Sequence, residues 1–297
     1  MTHQIKMRTV SMKPILLGAA LAASLVLPAS LAGAAGGGGS AERQHWSFSG
    51  LTGHYDKGQL QRGFKVYKEV CAACHGLKYL HYRNLGEDGG PGFPEAEVKE
   101  LARQAEFPSG PNDEGETTDG EGNPLVRPGL PSDSFVSPYA NDAEARHNNN
   151  GALPPDLSLI AKARSAGGHS IPVISWLKDI AMGYEEGGAD YLYALLTGYT
   201  DPPAGLKLPE GMSYNAAFEG HQIAMPSPLG DDIVDYSDGT PQTAQQYARD
   251  VSAFLMWAAE PKLEERKGLG IRVMIYLAIL SVLLYLTKRK LWSRIGH

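Results

Sequence analysis

The chain has 297 residues, 42% of them hydrophobic, with a formal net charge of −6 and only two cysteines. That is enough apolar material for a genuine core, so a wholly disordered chain is excluded. Residues 1–35 and 288–297 carry seven Lys and Arg and no acids, which leaves −13 on the stretch between them. Such a charge disfavours nucleic acid and anionic lipid surfaces as partners of the intervening domain and favours a cationic one, steered in at rates that fall with salt.

The first 35 residues are expected to be a cleaved signal peptide. Lys6, Arg8 and Lys13 form a positive start, "PILLGAALAASLVLPASLAGA" supplies a short apolar run, and small residues near Ala32 to Ala35 offer cleavage sites. Pro28 and many alanines keep the run short of the roughly 20 strongly apolar residues a span needs. An exported domain is expected over 36–267.

That domain opens with "DKGQLQRGFKVYKEVC". Asp56 is placed as an N-cap, and Leu60, Phe64, Tyr67 and Val70 recur at helical spacing beside Gly63. The stretch "CAACHGLKYLHYRNL" follows and holds both cysteines, Cys71 and Cys74, with His75 immediately after. A redox CxxC pair is one reading, although no strand pattern surrounds it; zinc is another, although the chain offers no second Cys/His pair at finger spacing. The third reading is one covalently attached haem c. Two thiols three residues apart lie on one helical turn, can add to the two vinyl groups of one porphyrin, and leave the next imidazole to meet the iron.

Acidic residues cluster three times beyond the motif: Glu95, Glu97, Glu100 and Glu106; Asp113, Glu114, Glu116, Asp119 and Glu121; Asp231, Asp232, Asp235 and Asp238. From Phe107 to Pro155 the sequence lacks periodicity, and a long loop is expected that wraps the cofactor or forms an acidic insert. Within "NNNGALPPDLSLIAKAR", Asp156 is expected to cap a helix that Arg164 closes, and Arg164 has a haem propionate as a possible partner. "GHQIAMPSPLGDD" offers a sixth ligand. Met225, ahead of Pro226 and Pro228, suits a rigid loop holding a thioether against the haem; His221 is the rival, and Met182, Met212 and Met256 fit less well. A last helix is expected with Thr240 as N-cap and Pro241 at N1, an apolar face of Tyr247, Val251, Phe254, Leu255 and Ala258, and Gly63 and Ala248 permitting a close crossing with the first helix. The fold class is mainly α, a class I cytochrome c-like haem domain with long irregular loops. "LGIRVMIYLAILSVLLYLTKRKLW" then supplies one C-terminal transmembrane anchor, 268–290, with a cytoplasmic tail at 291–297.

Together, "CAACHGLKYLHYRNL", "GPNDEGE", "NNGALPPDLS", "ADYLYALLTGYTDPP", "IAMPSPL", "DDIVDYSDGTP" and "FLMWAAEPKLEERKGLG" resemble the cytochrome c1 family, the membrane-anchored haem subunits of cytochrome bc1 complexes. The resemblance implies thioethers at Cys71 and Cys74, His75 and Met225 as iron ligands, and Asn149, Pro155, Arg164 and Tyr191 lining the haem, with Arg164 towards a propionate. It implies electron transfer from the Rieske iron-sulfur protein to a soluble cationic c-type cytochrome, beside cytochrome b. The protein would sit in a bacterial-type inner membrane, its haem domain periplasmic, in contact with membrane lipid and in a dimeric complex, with no nucleic acid partner and no catalytic residues of its own. Two other classes are a free membrane-tethered cytochrome shuttle and a haem peroxidase with an open iron. Residues 165–188 resemble an insertion, within which "VISWLKDIAMGY" is expected to form an amphipathic helix.

Overall fold

The computed structural model describes residues 41–164 and 187–293. The expected signal peptide and the expected helix within 165–186 lie outside the described residues.

Helix α1, Lys57–Glu69, starts where Asp56 accepts from the Gln59 amide at 2.7 Å, and it buries Leu60, Gly63, Phe64, Val66 and Tyr67. Its counterpart late in the chain, Ala244–Ala259, buries Tyr247, Ala248, Val251, Phe254, Leu255, Met256 and Trp257. The two helices cross tightly at Gly63: a Cβ there would stand 2.1 Å from the Asp250 carbonyl oxygen and 2.7 Å from the Phe254 Cβ. No side chain fits that gap. The expected start of the later helix at Thr240 and Pro241 is corrected. Thr243 is the N-cap, its hydroxyl accepting from the Gln246 amide, while the Thr240 amide is spent on Asp238.

Between these helices come α2, Glu95–Arg103, then strands β1, Glu106–Pro108, and β2, Val126–Pro128, paired antiparallel. They are followed by α3, Asp142–Asn148, α4, Ile160–Ala163, and α5, Gly187–Thr197. A second small hairpin pairs β3, Ser213–Tyr214, with β4, Gln222–Ile223. The late helix is therefore α6, and it packs on α1, α4 and α5. The long segment after Phe107 is thus not structureless. Its acidic stretch is the exposed tip of the β1–β2 hairpin, folded by Asx turns in which Asn112 and Asp119 accept from amides two and four residues on. Arg127 and Asp133 tie the hairpin base at 2.6 Å, which pulls the Asp133 carboxyl down to about 2. Of the expected 165–188 insertion, only Gly187 and Gly188 lie among the described residues. Gly188 belongs to α5 and meets α4 so closely that a Cβ would stand 1.6 Å from the Ala161 carbonyl oxygen.

Thirty residues, Leu263–Trp292, form α7, about 45 Å long at 1.5 Å per residue, with a long apolar and largely exposed stretch from Leu269 to Thr287. It exceeds the ~30 Å hydrocarbon core of a bilayer and is the membrane-anchoring helix. Its base is fastened to the head. Leu263 and Lys267 are buried, Lys267 Nζ donates to the carbonyls of Phe48 at 2.6 Å and Gly50 at 2.5 Å, and Glu264 accepts from the Tyr55 amide at 2.8 Å. The same N-terminal strap reaches α5, where the fully buried Asp190 accepts from Trp46 Nε1 at 2.8 Å and from the Gln44 amide at 3.0 Å. The architecture is mainly helical with little sheet, as expected.

Candidate functional site

The end of α1 runs directly into a 3₁₀ turn, Cys71–Ala73. The Cys74 and His75 amides both donate to the Cys71 carbonyl, at 3.1 and 2.9 Å, so one turn presents two thiols and an imidazole. Both cysteines are free and partly exposed. Protein surrounds Cys71 on most sides, and burial, aided by the neighbouring Cys74, pushes its thiol up to about 12. That is the reverse of a redox-active pair, whose attacking thiol is held low to supply thiolate. Among the described residues no group of three or more His, Cys, Asp or Glu side chains gathers to hold a metal ion, so the four ligands of a structural zinc site are not assembled there.

The His75 ring is oriented by a group that sequence distance concealed. Its Nδ1 lies 2.8 Å from the Pro155 carbonyl oxygen. A carbonyl only accepts, so Nδ1 carries the proton and Nε2 keeps its lone pair. Burial holds the imidazole below its ordinary pKa, against the opposing pull of that bond and of Asp156, which favours the neutral, metal-ligating form. The His75 carbonyl accepts from Tyr67 Oη at 3.0 Å. Around this pair the segment 155–158 is laid against 75–79: the Leu157 amide donates to Gly76 O at 2.9 Å, the Lys78 amide to Asp156 Oδ2 at 2.9 Å, and the Tyr79 amide to Ser158 Oγ at 3.1 Å. Asp156 does cap a turn, accepting from the Ser158 amide, but α4 begins only after Leu159 and has no side-chain cap. Arg164 does close that helix.

A second group forms around Met225. Tyr199 Oη donates to the Met225 carbonyl at 3.2 Å. Burial pushes the Tyr199 hydroxyl pKa up, with the neighbouring Tyr191 adding to the shift. Tyr191 is itself buried in α5, and the nearby Arg164 opposes the rise that burial causes. The structure thus brings Cys71, Cys74, His75 and Pro155 together and bonds Tyr199 to Met225, with Tyr191 near Tyr199 and Arg164 near Tyr191. Asn149 is the C-cap of α3, its Nδ2 donating to Tyr139 Oη at 2.9 Å and to Ala145 O at 2.7 Å. His221, the rival ligand, is built into the β3–β4 turn at φ 60°, its Nδ1 3.2 Å from Asn215 O and its ring stacked on Tyr214 at 5.6 Å. Met256 is buried in α6, Met212 sits in a turn on Pro209, and Met182 lies outside the described residues. Tyr67, Tyr199, Asp156 and Ser158 are additions to the site that spacing alone did not reveal.

The Cytochrome C1 family matches residues 46–295. A "Cytochrome c1" of Blastochloris viridis is 46% identical over 289 residues, covering 97% of this chain and 96% of that protein. A "Cytochrome c1" of Rhodospirillum rubrum is 42% identical, covering 96% and 100%. A "Cytochrome b/c1" of Bradyrhizobium diazoefficiens is 49% identical over 250 residues; the match covers 84% of this chain but only 35% of that longer protein. With the match spanning the proximal motif, the Met225 loop and the anchor helix alike, the chain belongs to the cytochrome c1 family.

Proposed function

We propose that this chain is the haem-carrying electron-transfer subunit of a quinol-oxidising bc1 complex, accepting an electron from the Rieske protein and passing it to a soluble c-type cytochrome. The observation that carries the reading is the proximal turn: two neighbouring thiols, then an imidazole whose Nδ1 is committed to Pro155 and whose Nε2 is free to coordinate. These residues fit one haem c: Cys71 and Cys74 would hold it covalently, and His75 and Met225 would ligate its iron. When bound, the haem supplies a one-electron couple, and no bond to a substrate is made or broken.

The remaining work belongs to the chain's own groups. Pro155 fixes the imidazole tautomer, and Tyr199 steadies the Met225 loop. Arg164, on the Tyr191 side, suits a propionate, as a guanidinium pairs with a carboxylate. Asn149 and Tyr191 are assigned to the lining of the same cofactor. The exposed acidic hairpin tip, 111–122, is the docking surface for a cationic cytochrome. Neutralising its acids should slow electron transfer to that carrier at low salt while leaving reduction by the complex unchanged. Cytochrome b and the Rieske protein are the partners within a dimeric complex, α7 crosses the inner membrane among its lipids, and the head lies in the periplasm with 291–297 at the cytoplasmic end.

A free tethered shuttle needs a flexible neck. Here Glu260 ends α6, Leu263 begins α7, and Lys267 is bonded to the head, so the anchor is continuous with the haem domain. A peroxidase needs an open iron position, which a Met225 thioether would close. The test is gentle solubilisation, purification by a tag beyond His297, and reduced-minus-oxidised spectroscopy. Co-elution of b-type haem and a Rieske signal with the c-type band is the expected result; a low-spin c-type haem eluting alone would replace this reading by the shuttle.

A further inference from the structure

Asp156 does more on the proximal side than cap a turn. Its Oδ2 accepts from the Lys78 amide at 2.9 Å and its Oδ1 from the Ser158 amide at 3.0 Å. One carboxylate therefore joins the chain three residues past the imidazole to the residues directly after Pro155, the imidazole's own acceptor. Gly76 lies against it: a Cβ at that position would stand 3.2 Å from Oδ2, so the motif leaves room for this side chain by having none of its own there. The neighbouring tie, from the Tyr79 amide to Ser158 Oγ, is made by a neutral hydroxyl, so backbone riveting alone does not require a charge.

The charge has a consequence of its own. Among the described residues no cation forms an ion pair with Asp156, and both of its bonds come from neutral amides. Its Oδ2 lies against Gly76, the residue directly after the imidazole, and Pro155, the residue directly before Asp156, holds the imidazole's Nδ1, so the charge stands beside the proximal turn on both segments. An iron bound to that imidazole carries one more positive charge when oxidised than when reduced. A fixed negative charge nearby stabilises the oxidised state more and draws the potential down.

We propose that Asp156 is a positioning residue for His75 and that its carboxylate lowers the midpoint potential of the haem. The inference rests on the haem reading above. The test uses the full chain in its solubilised membrane complex, with Asp156→Asn, Asp156→Glu and Ser158→Ala each compared with the wild type. Three readouts are taken: the pyridine haemochrome for covalent haem, the far-red methionine-to-iron band for ligation, and a redox titration for the midpoint. Asp156→Asn should keep haem and ligation and shift the midpoint upward, Asp156→Glu should stay near the wild type, and Ser158→Ala should leave the midpoint unmoved. An unmoved midpoint in Asp156→Asn with haem and ligation intact would overturn the proposal, as would an equal shift in Ser158→Ala. Loss of haem from Asp156→Asn but not from Asp156→Glu would assign the carboxylate to scaffolding alone and overturn the tuning. A wild type without a c-type haemochrome would instead remove the haem reading itself.

Discussion

On the proximal side, residues 75–79 are tied to 155–158 by four hydrogen bonds of 2.8 to 3.1 Å, formed between segments 78 to 81 residues apart in the chain. On the Met225 side, the described tie is Tyr199 Oη to the Met225 carbonyl at 3.2 Å, beside two prolines and a hairpin whose strands have two residues each. The contrast reflects what each side is asked to do. An imidazole needs a fixed tautomer and ring angle, which demand several converging bonds; a thioether on a flexible stem needs only a loop that stays near. Local opening should therefore begin on the Met225 side, where fewer bonds must break.

The largest expected effect comes from striking the scaffold both sides share. Gly63→Leu would drive a side chain into the Asp250 carbonyl and the Phe254 Cβ, and overpacking of this kind should cost about 3 kcal/mol or more. Thermal melting of the purified complex and the yield of covalent haem report it. Unchanged melting would show that α1 and α6 can part without loss.

A milder change should separate the two sides. Tyr199→Phe removes the donor to Met225 and should loosen that loop by about 1 kcal/mol, or roughly fivefold in its opening equilibrium. Binding of carbon monoxide to the reduced protein should speed up by that factor while the midpoint of proximal unfolding stays put. Equal effects on both would mean that the sides are one cooperative unit.

The smallest effect is expected at the hairpin. Asp133 accepts from Arg127 and from the Leu130 amide, which holds its carboxyl near 2, below the ordinary carboxylate range. A lowered folded-state pKa contributes stability that is present above about pH 4 and is lost as the pH falls towards 2. At pH 7, Asp133→Asn should speed hydrogen exchange at Leu130 and in β1–β2 and leave the haem spectrum unchanged. Exchange that does not change would show that the hairpin is held elsewhere.

Much of this was legible in the residues because the signals were local. Asp56 caps α1 as its spacing implied, Gly63 sits at the helix crossing, and CAACH lies on one turn. Thr240 and Pro241 resembled a helix start, yet the Thr243 hydroxyl, closer to the apolar face, makes the cap. Strands β1 and β2 have three residues each, with only the middle one partly buried, so no alternation marked them. Asp156 read as a helix cap because its partner, the Lys78 amide, is 78 residues distant and sequence spacing carries no trace of it. Tyr199 was hidden for the same reason. Its hydroxyl meets a backbone carbonyl, which any residue type at 225 would supply.

The most direct measurement is the oxidised spectrum and the redox titration of Met225→Leu beside the wild type. The wild type should show a low-spin c-type haem with the far-red methionine-to-iron band, and Met225→Leu should lose that band, lower the midpoint potential and block turnover. A Met225→Leu protein with the band and potential intact would contradict the account, because the sixth ligand would then be another residue.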